Sequence, residues 1–506
     1  MIDGLASMGS ALLAFLTPMS LFHVAWATLL GILVGSLPGL TATMGVALLT
    51  TLTYTLDRDS AILVLICMYV GAIYGGSRSA ILLNIPGTPA SAATSLDGFP
   101  LAQRGEAGYA MGLATAGSAL GTVVGILLLV VLAPLLAEVA LSFGSFEFFW
   151  LAVFGIVISG QLTGGISPLR GYIAGLLGLS VAMIGSEGIH AHVRFSLGIP
   201  ELNGGIGLIP AMVGAFGFAE VLTVMWRGKP KLAGEAKSQD RILPRFIDLW
   251  RYKFTVVRSG VIGTMVGIIP GVGEDIGAWA SYAVAKRTSP EKDQFGKGSK
   301  EGLTAAETGN SAVVPGALIP ALTLAVPGSA PAAVLIAALF IHGVRPGPMI
   351  MFEQPDFIYS VAAMLLLATA AILIYGLSLT RAFIQVLRIP RELLMPVVFV
   401  LCVIGPYALT QRVFDIWVMV GFGLLGFVLR QMNYPMAPLV LGIILGDLLD
   451  KNLRRGLTLS DGSLEPFFTR PVSAMFAIVI AASILLGLAP VRRGLARLAG
   501  ATGDRR

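Results

Sequence analysis

Charge is what this 506-residue chain has least of: only 12% of its residues are Asp, Glu, Lys or Arg, against 56% apolar. A soluble protein carries about 25% charged residues. Half that value leaves too little polar surface to coat a water-soluble globule, so the chain belongs in a bilayer for most of its length. Cysteine is nearly absent too. Cys67 and Cys402 both sit inside apolar runs, which excludes a metal cluster and a disulfide framework. Four histidines are scattered, and His190 and His192 at i,i+2 do not share a helix face, so no metal site is expected. No Gly-x-x-x-x-Gly-Lys-[Ser/Thr] occurs, so nothing points to ATP as the energy source. No catalytic set of nucleophile and base can be assembled, and no enzyme is expected. No Lys or Arg precedes the first apolar run, so the n-region of a cleaved signal peptide is not seen. The net charge of +6 sits in loops and reports orientation rather than nucleic-acid binding.

Long charge-free runs are abundant. Residues 4–56 carry no formal charge, and 107–137, 357–380, 393–411 and 471–491 are each close to one span or longer. At about 20 apolar residues per span they predict an all-α polytopic membrane protein of roughly 10–12 helices. Gly at 62 and Pro at 28 are high for plain spanning helices and predict broken or closely packed ones. Nine Lys/Arg crowd residues 227–258, and five more lie in 286–300. Both loops read as cytoplasmic.

The basic segment divides the chain into a first membrane repeat (1–226), a linker (227–258), a second repeat (259–491) and a basic tail (492–506). Gly35-Ser-Leu-Pro-Gly-Leu40 matches Gly267-Ile-Ile-Pro-Gly-Val272 at an offset of 232. Asn84-Ile-Pro-Gly-Thr-Pro-Ala-Ser91 matches Ala325-Val-Pro-Gly-Ser-Ala-Pro-Ala332 at an offset of 241. Between them Gly75-Gly-Ser77 is set against Gly309-Asn-Ser311. Matching loops of opposite charge bias favour inverted repeats, as in many secondary transporters. Residues 259–285, flanked by basic loops, are too short to cross twice. They read as a re-entrant element with Pro270-Gly271 near its tip, the alternative being one kinked span.

Pro-Gly breaks free backbone groups that must be satisfied by protein or by a ligand in a cavity. Half-helix N-termini attract anions, and freed carbonyls ligate cations. The substrate-binding candidates are therefore Ser77, Asn84, Pro86, Gly87, Thr88, Asn310, Ser311, Pro327, Gly328 and Ser329. Small residues packing helices are the alternative for each. Ionisable residues in apolar surroundings are functional candidates. Glu274, Asp275 and Glu307 are read as cation-coupling groups, although Glu274 and Asp275 could instead cap a helix. Arg78, Pro38, Gly39, Pro270 and Gly271 are substrate or structural candidates, with snorkelling as the alternative for Arg78. The charge-free helices at 107–137 and 357–380 lack central breaks and read as a scaffold for a mobile unit carrying the Pro-Gly clusters.

The runs from Tyr74 to Pro89, Leu96 to Ala102, Gly267 to Val272, Glu307 to Pro315, Val326 to Ala330 and Leu441 to Gly446 resemble the large permease subunit (TctA) of the tripartite tricarboxylate transporters. The resemblance extends from about residue 20 to about 475. It departs near Ser186-Glu187, where the family often has an Asp, and at Asp450, where it often has a Glu. It implies a multi-pass protein of the bacterial inner (cytoplasmic) membrane importing di- or tricarboxylates such as citrate, with Na+ or H+ as coupling cation and no cofactor. Its implied partners are a small membrane subunit (TctB-like) and a periplasmic solute-binding protein (TctC-like). A passive anion channel is the alternative from another class.

Overall fold

The computed structural model describes residues 2–37, 39–163, 168–227, 242, 250–380 and 393–487. Most of the basic linker, the basic tail beyond 487 and Pro38 lie outside the described residues. The chain is an all-α polytopic membrane protein. Its helices, in order, are α1 (Ile2–Ala14), α2 (Pro18–Ser36), α3 (Ala42–Leu52), α4 (Arg58–Leu83), α5 (Ser91–Gln103), α6 (Ala107–Leu141), α7 (Ser145–Thr163) and α8 (Pro168–Ala182). There follow α9 (Leu208–Met212), α10 (Ala219–Arg227), α11 (Lys253–Ile268), α12 (Gly273–Thr288), α13 (Lys300–Leu324) and α14 (Ala330–Ile341). The last are α15 (Phe357–Ser378), α16 (Met395–Thr410), α17 (Val413–Gln431), α18 (Met436–Leu459) and α19 (Pro471–Gly487). Among the described residues seven helices are long and apolar enough to cross a membrane, and four apolar helices are shorter. Several of the remaining helices are the broken elements that the Pro-Gly pairs foretell.

Two compact units divide the chain. The first comprises 1–141 and 207–428, the second 142–206 and 429–506. In the second unit, α7, α8 and α18 pack through glycines: Cβ atoms at Gly171 and Gly178 would run into the carbonyl oxygens of Gly160 and Leu439. A two-stranded hairpin pairs Gly185 with Arg194 and Ser186 with Val193. Beside it Arg194 forms a bidentate pair with Asp450 (3.1 and 3.0 Å), and Arg454 bridges Asp450 (3.0 Å) and Glu187 (3.3 Å). Glu187 and Asp450 thus meet in one ion cluster. Although burial opposes it, the His190 backbone N–H and the Arg454 guanidinium hold the Glu187 carboxyl below its usual range.

The first unit holds all the Pro-Gly breaks. α4 begins at Asp57, whose carboxylate accepts the Ser60 backbone N–H (3.0 Å), and ends at Asn84 in the left-handed region. α13 begins at Ser299, which caps Gly302, and ends at Ala325 with almost the same dihedrals (φ 56°, against 54° at Asn84). The cap N–H groups of Asn84 and Ala325 return to the carbonyls of Ser79 and Pro320, again 241 residues apart. Packing along the helices keeps that offset. A Cβ at Gly31 would lie 2.6 Å from the Met68 carbonyl oxygen; at Gly263 it would meet that of Gly309.

The match of Gly75–Ser77 with Gly309–Ser311 is therefore corrected. Helix packing sets the register, and it places Gly75 opposite Gly316, and Tyr69, not Gly76, opposite Asn310.

α11 and α12 form an antiparallel hairpin. Gly277 faces Gly263, and the Ser281 hydroxyl donates to the Ser259 carbonyl (3.3 Å), with Pro270-Gly271 at the tip. Each arm has 16 residues, or about 24 Å at 1.5 Å per residue, short of a ~30 Å hydrocarbon core. This is the re-entrant arrangement rather than one kinked span.

A Cβ on Gly121 of α6 would collide with the Thr308 carbonyl of α13, and the α15 glycine Gly376 abuts Tyr74 of α4. Helices 107–137 and 357–380 are thus packed backbone-close to the broken elements inside one unit.

Candidate functional site: two paired helix breaks

Each half brings its two breaks together. In the first, a Cβ at Gly87 would collide with the Gly35 carbonyl, so the α4–α5 break sits on the end of α2. In the second, Gly328 meets the Gly267 carbonyl in the same way, and the N–H groups of Gly271 and Gly273 donate to the carbonyls of Pro327 (3.3 Å) and Gly328 (3.2 Å). Only glycine permits these approaches. Gly39 (φ 96°) and Gly271 (φ 70°) turn the chain at the α2–α3 and α11–α12 breaks in the left-handed region. The α2–α3 and α4–α5 breaks together form the first tip, and the α11–α12 and α13–α14 breaks the second.

The second tip is satisfied internally. The Tyr69 hydroxyl, from the middle of α4, donates to the Glu274 carboxylate and lies 2.6 Å from the Ser329 Oγ. Ser329 is also the N-cap of α14, its hydroxyl accepting the Ala332 N–H (3.4 Å). Glu274 is buried in this contact, so it does more than cap α12. Asp275 points the other way, its carboxylate accepting the Ala90 N–H at the start of α5.

At the first tip, Thr88 and Ser91 bond to each other: the Thr88 N–H donates to Ser91 Oγ (3.1 Å) and the Ser91 hydroxyl to the Thr88 carbonyl (2.7 Å). Asn84 is exposed, its role being the left-handed end of α4. Its counterpart Ala325 does this with no polar side chain. Pro86 and Pro327 follow these caps and stop the helices.

A second polar cluster lies between α4, α5, α6 and α13. Glu307 is fully buried and accepts from the Thr94 and Ser118 hydroxyls, the latter at 2.8 Å. Arg78 is fully buried as well, so it does not snorkel. Its guanidinium donates to Thr115 Oγ1 (2.6 Å) and the Met111 carbonyl (3.3 Å) and stacks 4.3 Å from the Tyr74 ring centroid. Glu307 and Arg78 are near enough for their charges to act on each other. Ser77 bonds its own helix at the Tyr74 carbonyl (2.6 Å) and also reaches Glu307. Asn310 and Ser311, one turn further along α13, are buried at 0% and 3% exposure. Both polar side-chain atoms of Asn310 and the Ser311 hydroxyl lack a hydrogen-bond partner.

Sequence reasoning missed Asp97 and Tyr69. The fully buried Asp97 carboxylate gathers the N–H groups of Gly296 (2.8 Å), Gly298 (2.9 Å) and Ser299 (2.8 Å) and the Tyr282 hydroxyl (2.9 Å). The signal for Asp97 was available: it is an acid in an otherwise uncharged stretch, between Arg78 and Arg104. Tyr69 carried none, being one aromatic in an apolar run. Among the described residues no group of three or more His, Cys, Asp or Glu could hold a metal ion.

A family profile described as the tripartite tricarboxylate transporter TctA family matches residues 21–441. The chain is similar to an uncharacterized 52.8 kDa protein of the TAR-I ttuC' 3' region of Agrobacterium vitis, 34% identical and covering 97% of both chains. It is also similar to an uncharacterized protein of the TAR-II ttuC' 3' region of the same organism, 32% identical over 45% of this chain and 94% of the relative. No solved structure gives a significant match.

Proposed function

We propose a transport function from one premise: this chain belongs to the tripartite tricarboxylate transporter TctA family. It is read as the large permease subunit of a binding-protein-dependent secondary transporter in the bacterial inner membrane. It would import di- or tricarboxylates of the citrate kind in symport with Na+ or H+. A TctB-like small membrane subunit and a TctC-like periplasmic binding protein complete the system.

The observation that carries the reading is reciprocal packing. The α3 helix of the first half packs on α14 of the second, and α12 of the second packs on α5 of the first. A twofold between inverted repeats would produce such an exchange and would bring two broken-helix tips toward one shared region. Half-helix N-termini and hydroxyls there suit a carboxylate. The buried acids Glu274, Asp275 and Glu307 suit a coupling cation. The basic segment 227–258 is assigned to the cytoplasm.

The test is uptake of labelled citrate, succinate and malate into vesicles carrying all three subunits. Ionophores collapse the Na+ and H+ gradients in turn. Accumulation above equilibrium, lost with one gradient, supports the symporter. Flux that equilibrates without accumulation under either gradient identifies a passive anion channel and overturns it.

A further inference from the structure

The two tips are built on one plan but filled differently. At the second tip a carboxylate is already present: Glu274 occupies the space between the Tyr69 hydroxyl and Ser329. The helix register gives the counterparts of these three residues at the first tip. Tyr69 corresponds to Asn310 at the offset of 241, Ser329 to Thr88 at the same offset, and Glu274 to Ala42 at the offset of 232. The first tip therefore has Ala42 where the second has Glu274, and the acid that reaches it, Asp275 of α12, sits on the Ala90 N–H instead.

A direct registration agrees. Along the α13–α5 contact, Leu303 meets Gly98 (3.5 Å from an added Cβ) and Glu307 meets Thr94. The helices run antiparallel in steps of one turn. The next turn of α13, residues 310–311, reaches the start of α5 at residues 90–91. Asn310 and Ser311 are on that turn, buried and without partners. A buried, unpartnered amide is costly unless something else completes it.

We propose that the first tip is the subsite for a carboxylate group of the substrate. The carboxylate is held by the Asn310 amide N–H and the Ser311 hydroxyl, the buried donors without a partner, in the place that Glu274 fills at the second tip. The proposal rests on the transport reading above and says where the anion sits. Asp275, on the Ala90 N–H, lies at the start of α5 beside this place.

The experiment measures binding of citrate, succinate and malate to the purified full chain with its small subunit, in NaCl at pH 6, by calorimetry and ligand-induced thermal shift. Asn310→Leu removes the donor. Ala42→Glu supplies a tethered carboxylate at the counterpart of Glu274. The wild-type protein is expected to bind at least one of the three. Asn310→Leu should weaken it about 10- to 150-fold, the loss of one hydrogen bond to a charged group. Ala42→Glu should abolish it, and either variant suffices if the other does not fold. Unchanged affinity in a folded variant overturns the subsite and leaves the transport reading standing. Failure of the wild-type protein to bind any of the three overturns both.

Discussion

At the second break a tyrosine, a glutamate and a serine satisfy one another; at the first the same places hold Asn310, Ala42 and Thr88, and the amide is left unpartnered. Both breaks share one backbone plan, down to the left-handed cap at Asn84 and Ala325. The difference lies in these side chains and in one turn of backbone: Gly273 is left-handed (φ 67°) where Thr41 is extended (φ −102°). One tip carries its own carboxylate and is locked by it, and the other keeps a buried amide without a partner. Arg78 and Glu307 sharpen the asymmetry, since the register sets them against Ile319 and Ile66, which are apolar.

The largest effect is expected outside both tips, where one carboxylate joins the halves. Asp97→Ala orphans three backbone N–H groups and the Tyr282 hydroxyl, at a cost of about 3–5 kcal/mol. The thermal unfolding midpoint in detergent should fall steeply. A midpoint near wild type would mean that the halves are joined elsewhere.

Next come the glycines that let the breaks pair. Gly87→Val forces side-chain atoms onto the Gly35 carbonyl, and Gly328→Val does the same at Gly267. Each should cost about 3 kcal/mol or more by overpacking. Equal losses of folded yield in the two variants fit a shared plan; a loss in one alone breaks the equivalence.

The tips themselves differ by less. Tyr69→Phe removes the hydroxyl from Glu274 and Ser329 and should cost about 1–3 kcal/mol, read as a lower unfolding midpoint without any carboxylate present. A stability equal to wild type would deny that the second tip is locked.

Much of this was legible in the sequence. The membrane class followed from scarce charge, and the breaks from Pro38-Gly39, Pro86-Gly87, Pro270-Gly271 and Pro327-Gly328, although Pro38 lies outside the described residues. The hairpin over 259–285 followed from length and flanking charge. Register did not, because glycine pairs recur along α4 and α13 and any of them can be matched by eye. Only which carbonyl each glycine touches decides it, and that is a tertiary fact. Tyr69 was missed for the same reason, its partner Glu274 lying about 200 residues away in the chain; Asp97 was visible as a lone acid, but its partners were equally distant.

The smallest effect is at the entrance of α4, common to neither tip. Backbone hydrogen bonding from Ser60 lowers the Asp57 pKa from its ordinary 3.8. The contribution of this cap is complete above that value and is lost as pH falls below it. Asp57→Ala should cost about 1 kcal/mol at neutral pH. The gap to wild type should close in acid; a gap independent of pH would contradict the cap.

The central claim is that the first tip is open because its carboxylate comes from outside, and the unfolding midpoint of Asn310→Leu tests it most directly, measured with and without citrate, succinate or malate. An unpartnered buried amide replaced by an apolar group of similar size should leave the ligand-free midpoint unchanged or raised. The shift that the carboxylate gives the wild-type protein should disappear. A ligand-free midpoint lowered as far as in Tyr69→Phe, with the carboxylate shift intact, would contradict the account.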